Sequence, residues 1–196
     1  MFIWAKEANP SVKLYIVDEP ILDTNNDAVR QNVANFLQLL EYLKKIGTPI
    51  DGVETENNFW IYAPPNKQNM KTLLSQIKDK GYEIVAPEMV VAISDKFPVW
   101  PERPRTVQSI SNKLVAQAEI YRETLEAYLE VGCSQFGLFS GTDAITLFTE
   151  IGYPDAESEI LDKNYQPKPA YYSLWDVLLK YALQRQPSAT TAPHMP

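Results

Sequence analysis

Three features of the sequence predict a parallel α/β fold built from four consecutive βα units. Four times a short β-prone run precedes a longer segment with helical spacing, the signature of a parallel sheet with crossover helices. Three of the helical segments stop at a glycine, at Gly47, Gly81 and Gly132, as C-terminal caps do. The 196 residues, 45% hydrophobic and 11% aromatic, suffice for one sizeable core and are short for two.

The first β-prone run is 13–17 (KLYIV). It precedes a helix expected over 28–46, where Val29, Val33, Phe36, Leu37, Leu40 and Leu43 form one apolar stripe. The second run is short, at 50–53, and a loop expected over 57–66 leads to a helix at 67–80. The third run is 83–87 (EIVAP), followed by a Pro-rich stretch, 97–104, expected to form a long loop before a helix over 107–131. A fourth strand is expected near 135–139. After a further long loop the last helix should start at Pro167 or Pro169, because proline suits a first helical turn, and should carry Tyr172, Leu174, Trp175, Leu178, Leu179 and Tyr181. The C-terminal end is rich in Pro, Thr, Ser and Ala and lacks apolar periodicity, so the chain is read as one domain over 1–183 and a disordered tail over 184–196.

Four βα units fit either an open doubly wound sheet or half of a closed eight-stranded barrel. No Gly-x-Gly-x-x-Gly or phosphate-loop motif follows the first strand, which counts against the nucleotide-binding sheets and puts the half-barrel ahead. The net charge is −7, from 18 basic and 25 acidic residues without a basic run, so there is no electrostatic footprint for nucleic acid or an anionic membrane. A neutral or cationic partner is favoured. No apolar run approaches a membrane span, and residues 1–4 lead straight into Lys6 and Glu7, unlike a signal peptide. The single Cys133 excludes an internal disulfide and leaves the compartment open. With no basic neighbour to lower its pKa, it reads as an inert helix-end thiol. The one histidine, His194, lies in the tail, which removes Ser-His, Cys-His and multi-His zinc chemistry from the folded part. Acid–base chemistry therefore falls to carboxylates, with no metal or cofactor expected.

Asp18, Glu19, Glu54, Glu56, Glu88 and Asp143 all fall at or near predicted C-terminal strand ends, the face on which barrel enzymes build active sites. Strand alternation puts Glu54, Glu56 and Asn58 on one side, so Glu56 is expected to point inward beside Glu88 and raise its pKa by like-charge repulsion. Such a pair suits acid–base chemistry or a divalent cation; the plainer reading is acidic loops on an acidic protein.

Five stretches, in order, resemble the second half of glycoside hydrolase family 10, the xylanases: 4–16 (WAKEANPSVKLYI), 49–53 (PIDGV), 83–89 (EIVAPEM), 117–122 (QAEIYR) with 141–143 (GTD), and 162–172 (DKNYQPKPAYY). The resemblance covers roughly residues 1–183, and the last stretch is its most specific part. It implies a (β/α)8 TIM-barrel fold of which only the last four βα units, strands five to eight, are present. It also implies retaining hydrolysis of β-1,4-xylan, with xylan or xylo-oligosaccharide as partner and an extracellular setting. A retaining glycosidase holds two carboxylates about 5–5.5 Å apart, one as nucleophile and one as acid/base. The resemblance makes Glu88 the nucleophile position, and Asn58, Phe139 and Asp143 substrate-binding positions; Trp60, on the same parity in the loop after the sixth strand, is expected to join them. Trp60, Tyr62 and Trp100 offer aromatic faces that either stack on sugar rings or simply pack loops.

Departures from the family pattern concentrate at the site. Val17 stands for an asparagine, Glu56 for a glutamine, Asn58 for a histidine, Phe139 and Leu147 for tryptophans, Pro87 for a threonine and Val90 for an aspartate. The family's acid/base glutamate belongs to the fourth strand, outside these four units. A partial or degenerate catalytic domain is therefore expected, with Glu56 as a substitute acid/base. Two alternatives stand beside it: a non-catalytic carbohydrate-binding relative, and a half-barrel that pairs with a second copy or with a missing N-terminal half. Because Pro87 cannot donate to a sheet ladder, the backbone carrying Glu88 is expected to be displaced.

Overall fold

The computed structural model describes residues 1–18, 27–94, 112–133, 135–144 and 156–185. Its elements in chain order are α1 (Phe2–Ala8), β1 (Tyr15–Asp18), α2 (Asp27–Lys45), β2 (Gly52–Thr55), β3 (Asn57–Trp60), α3 (Lys67–Asp79), β4 (Glu83–Ala86), β5 (Met89–Ala92), α4 (Lys113–Val131), β6 (Gln135–Phe136) and α5 (Pro169–Arg185). A four-stranded sheet runs β1-β2-β4-β6, a two-stranded sheet pairs β3 with β5, and every pairing is parallel. The order follows the chain without reversal. A doubly wound sheet reverses at its switch point, so the alternative left open by the sequence resolves in favour of half a (β/α)8 barrel, strands five to eight.

Local sequence explains the helices. The Asn66 side chain caps α3 by accepting the Asn69 N–H at 2.9 Å, and Met70, Leu73, Leu74 and Ile77 bury one face at i, i+3, i+4 and i+7. Asn112 caps α4 in the same way through the Val115 N–H at 3.1 Å, and Gly132, at φ 75°, closes it in left-handed backbone. The second of the two prolines begins α5, which runs to Arg185, past the expected boundary at 183. Leu40, Met70, Leu74, Tyr121, Leu125 and Tyr128 fill the layer between helices and sheet. Each fully buried leucine there is worth roughly 1.5–3 kcal/mol.

Several boundaries differ from the sequence reading. The loop expected over 57–66 opens with strand β3, because Phe59 and Ile61, both 3% exposed, enter the core beside β5. The third strand is interrupted at Pro87 and Glu88 and resumes as β5. The fourth strand stops at Phe136 instead of reaching 139. There the Gly137 N–H takes the Ala86 carbonyl at 2.7 Å, and a Cβ on Gly137 would stand 2.2 Å from the Pro87 carbonyl oxygen. Of the six side chains expected on the apolar face of α5, Leu174 is buried and Tyr181 half-buried, whereas Tyr172, Trp175, Leu178 and Leu179 are exposed; Ala170 and Val177 complete the buried face. The first six residues of the helix expected from 107 lie largely outside the described residues, which begin again at Asn112.

Gly52 shows how the inward face is built. Tyr15 on β1 crosses over β2 so that its hydroxyl reaches Glu83 at 2.7 Å, and a Cβ at Gly52 would meet the tyrosine ring at 2.6 Å. Any side chain at 52 would displace the ring. Along β5, the backbone of 156–158 supplies carbonyls to Val91 at 3.4 Å and Ile93 at 2.8 Å, and Gln117 of α4 ties both segments together.

Candidate active site

The register locates the site. Glu54 pairs with Val85 and Asn57 with Met89, so two residues on one strand, Thr55 and Glu56, oppose three on the other, Ala86, Pro87 and Glu88. One extra residue on one strand is a β-bulge, a device that re-aims side chains. Burial records the shift. Ile84 and Ala86 face the helices before the bulge and Met89, Val91 and Ile93 after it, while Val53, Phe59 and Ile61 keep one parity throughout. Glu54, Glu56 and Asn58 thus share the inward side, as alternation predicts, and the bulge brings Glu88 opposite Glu56. The expected displacement at Pro87 takes this form: Pro87, exposed, falls between the two paired segments and has no N–H to give to a ladder.

The electrostatics follow from that geometry. Glu88 is half-buried, and its carboxyl is raised above the ordinary carboxylate range, first by desolvation and second by the charge of Glu56. The expected repulsion is present but is the lesser cause. At the other end of β4, Glu83 is held below its ordinary range by hydrogen bonds from Lys13 and Tyr15. One end of the strand therefore carries a carboxylate neutralised by protein partners. The other end carries one whose charge is left for something else to meet.

Behind the bulge, on the helix side, lies a network that sequence reasoning missed. The Asn57 backbone N–H and side-chain Nδ2–H both donate to the Glu88 carbonyl, each at 3.3 Å, and Nδ2 also reaches the Thr55 carbonyl at 2.9 Å. The Tyr128 hydroxyl donates to Asn57 Oδ1 at 2.8 Å and lies 2.5 Å from the Thr55 hydroxyl. Thr55, Asn57 and Tyr128 are all 0% exposed. An asparagine in an acidic run and a tyrosine on an amphipathic helix give no local signal; only the pairing brings them together.

The remaining candidates divide. Phe139 is half-buried and its N–H meets the Met89 carbonyl at 3.3 Å, beside the bulge. Asn58 is exposed on the inward side. Trp60 corrects the expectation of a sugar platform: it is 6% exposed, its indole N–H donates to the Ser94 carbonyl at 2.7 Å, and its ring packs edge-on against Tyr62 at 4.9 Å. Asp143 is likewise engaged by the protein, accepting from Lys168 at 2.9 Å and from the Glu159 N–H at 2.9 Å, so its carboxylate anchors the segment that leads into α5. Glu159 itself is fully buried and pushed up to about 7, chiefly by desolvation; a Ser158 hydroxyl meets one of its oxygens at 3.1 Å. Burial also raises the Cys133 thiol, in keeping with an inert role. Among the described residues no three His, Cys, Asp or Glu side chains gather as a metal site. Glu19, Trp100, Leu147 and His194 lie outside the described residues.

A parallel half-barrel with an inward carboxylate pair at its C-terminal rim defines the class: an α/β barrel of glycoside hydrolase type. The chain belongs to Glycosyl hydrolase family 10, whose sequence model matches residues 1–177. It is 29% identical over 180 residues to endo-1,4-beta-xylanase B of Thermotoga neapolitana, covering 90% of this chain and 46% of that one. To endo-1,4-beta-xylanase 1 of Humicola insolens it is 25% identical over 178 residues, covering 90% and 38%. The structure is similar to native xylanase 10B from Thermotoga maritima, with a TM-score of 0.77 at 25% identity, over 94% of this chain and 52% of that chain. A mutant xylanase 10C from Cellvibrio japonicus in complex with xylopentaose shares the fold, with a TM-score of 0.75 at 23% identity over 91% and 36%. The chain thus spans less than half the length of these curated relatives.

Proposed function

We propose that this chain supplies the nucleophile side of a retaining glycosidase site for β-1,4-xylan-type polysaccharide, with Glu88 as nucleophile and Asn58 and Phe139 against the sugar. The bulge carries this reading: it sets Glu88 on the inward face opposite Glu56, with no protein donor within bonding distance of its carboxylate among the described residues. Relatives named as xylanases, one of them bound to xylopentaose, support the substrate class. Glu56 is the carboxylate best placed to act as substitute acid/base. General acid help contributes typically about 10²–10⁴-fold, and the glycosyl-enzyme then needs the same group as base, so the chain alone turns xylan over slowly.

An activated aryl xyloside tests this, because a good leaving group needs little acid help. Glu88 should release a burst of phenol and stall as a one-sugar adduct, visible by mass spectrometry and abolished in Glu88→Gln. If intact folded protein forms no adduct, the nucleophile reading is rejected.

The sheet adds a second element to the reading. Among the described residues β1 pairs only with β2 and β6 only with β4, and inward-facing Val17 is 49% exposed. Four further βα units, on the same or another polypeptide, would cover these edges, and so would a second copy. Light scattering of the purified chain distinguishes a dimer from a monomer awaiting a complementary half.

A further inference from the structure

We infer that Tyr128 and Asn57 are positioning residues: a buried clamp on the helix side of the sheet that fixes the Glu88 bulge and so aims Glu88 across the inward face. This rests on the proposed role of Glu88 and extends it to residues that touch no sugar.

The argument starts from what a bulge lacks. Three residues facing two leave part of the ladder unpaired, and Pro87 has no N–H with which to repair it. The backbone at 87–88 is therefore free to slide unless something else holds it. Asn57 does so from the neighbouring strand, directing its main-chain and side-chain N–H groups onto one acceptor, the Glu88 carbonyl, at 3.3 Å each. An asparagine amide is able to rotate, and its orientation here is set from outside the sheet. Tyr128 donates to Asn57 Oδ1 at 2.8 Å, which turns Nδ2 toward the carbonyls of Glu88 and Thr55. The tyrosine oxygen then accepts from the Thr55 hydroxyl at 2.5 Å, so it too is fixed in direction. Thr55, Asn57 and Tyr128 are fully buried, where the low local dielectric strengthens the bonds among them. Gly137 closes the other side, its Cα packed against the Pro87 carbonyl, where a Cβ would stand at 2.2 Å. Helix α4, with Tyr128 in its last turn, is therefore linked to the inward carboxylate through Asn57 and one peptide unit.

The test reads Glu88 directly. Protein labelled with 13C at glutamate Cδ is titrated by NMR, with the Glu88 signal assigned from Glu88→Gln, and adduct formation with an activated 2-fluoroxyloside is timed in parallel. In Tyr128→Phe and Asn57→Ser, Glu88 should relax toward solvent, its midpoint falling toward the ordinary carboxylate range, and adduct formation should slow by roughly 10²-fold, the scale of an ångström's misplacement. Tyr82→Phe is the control. It deletes another buried hydroxyl bond, to the Leu40 carbonyl at 3.0 Å, in a part of the core away from Glu88, and should move neither reading. If Tyr128→Phe leaves Glu88 as unchanged as Tyr82→Phe does, the clamp is overturned. Should Tyr128→Phe fail to fold, Asn57→Ser, which keeps the tyrosine, carries the same decision. Absence of adduct in the unmodified protein would remove the nucleophile role, while the titration would still decide the clamp.

Discussion

Two carboxyls in this molecule, Glu88 and Glu159, are raised for the same two reasons, desolvation first and a neighbouring carboxylate second, Glu56 in one case and Asp143 in the other. Their surroundings are opposite. Glu88 is half-buried on the inward face and, among the described residues, held through its backbone, whereas Glu159 is sealed in the core, with Ser158 on one oxygen and the Lys168–Asp143 ion pair alongside. The contrast teaches that a raised pKa does not mark a functional site by itself. What separates the two is where the carboxylate can be reached and whether the fold depends on its state. One is aimed by the structure; the other is part of the structure.

The largest expected effect breaks the ionic cluster and leaves the bulge alone. Lys168→Met removes the cation that meets Asp143 at 2.9 Å and the Glu157 carbonyl at 2.7 Å, leaving buried anions uncompensated. A loss of about 3–5 kcal/mol by urea denaturation is expected, with the Glu88 titration unchanged. A moved Glu88 would mean the two regions are one unit.

Next comes the pH dependence of Glu159. Its folded pKa, about 7, lies above the ordinary 4.5, so between these values the native state binds the extra proton. Stability from this group is therefore full below about pH 4.5 and declines as pH rises toward 7, by up to about 3 kcal/mol. Glu159→Gln should flatten that decline and be the more stable protein at pH 8, as read from melting curves at pH 5 and pH 8. A steeper decline in the variant would show that the charged form is the one the fold prefers.

A smaller loss, about 1–3 kcal/mol, is expected for Gly137→Ala, because the new methyl must push the Pro87 carbonyl aside. Unlike Lys168→Met it should also shift the Glu88 titration, since the strain falls on the bulge. The smallest effect sharpens the electrostatics. Glu56→Gln removes the lesser cause of the raised Glu88 pKa, so the midpoint should drop only part of the way toward an ordinary glutamate. A full drop would make Glu56, and not burial, the main cause.

Much of this was legible before any coordinates. Repeated β-prone runs ahead of amphipathic helices, with Gly47, Gly81 and Gly132 as stops, gave four βα units in order, and parity along 54–58 put Glu54, Glu56 and Asn58 on one side. Alternation gives Trp60 a face and not a depth: its indole is closed over by Tyr62 and by the Ser94 carbonyl, from residues two and thirty-four positions away. The engagement of Asp143 is invisible locally, because its cation, Lys168, sits twenty-five residues later in the chain.

Sequence periodicity determined the class of fold and the face that carries the acidic residues, because apolar spacing and backbone caps act within a few residues of one another. The strand order, the extra residue that brings Glu88 opposite Glu56, the clamp from Tyr128 71 residues beyond Asn57 and the sealing of Glu159 were decided only by tertiary structure. Each depends on register or burial between segments far apart in the chain, and neither register nor burial is encoded in the local pattern of any one segment.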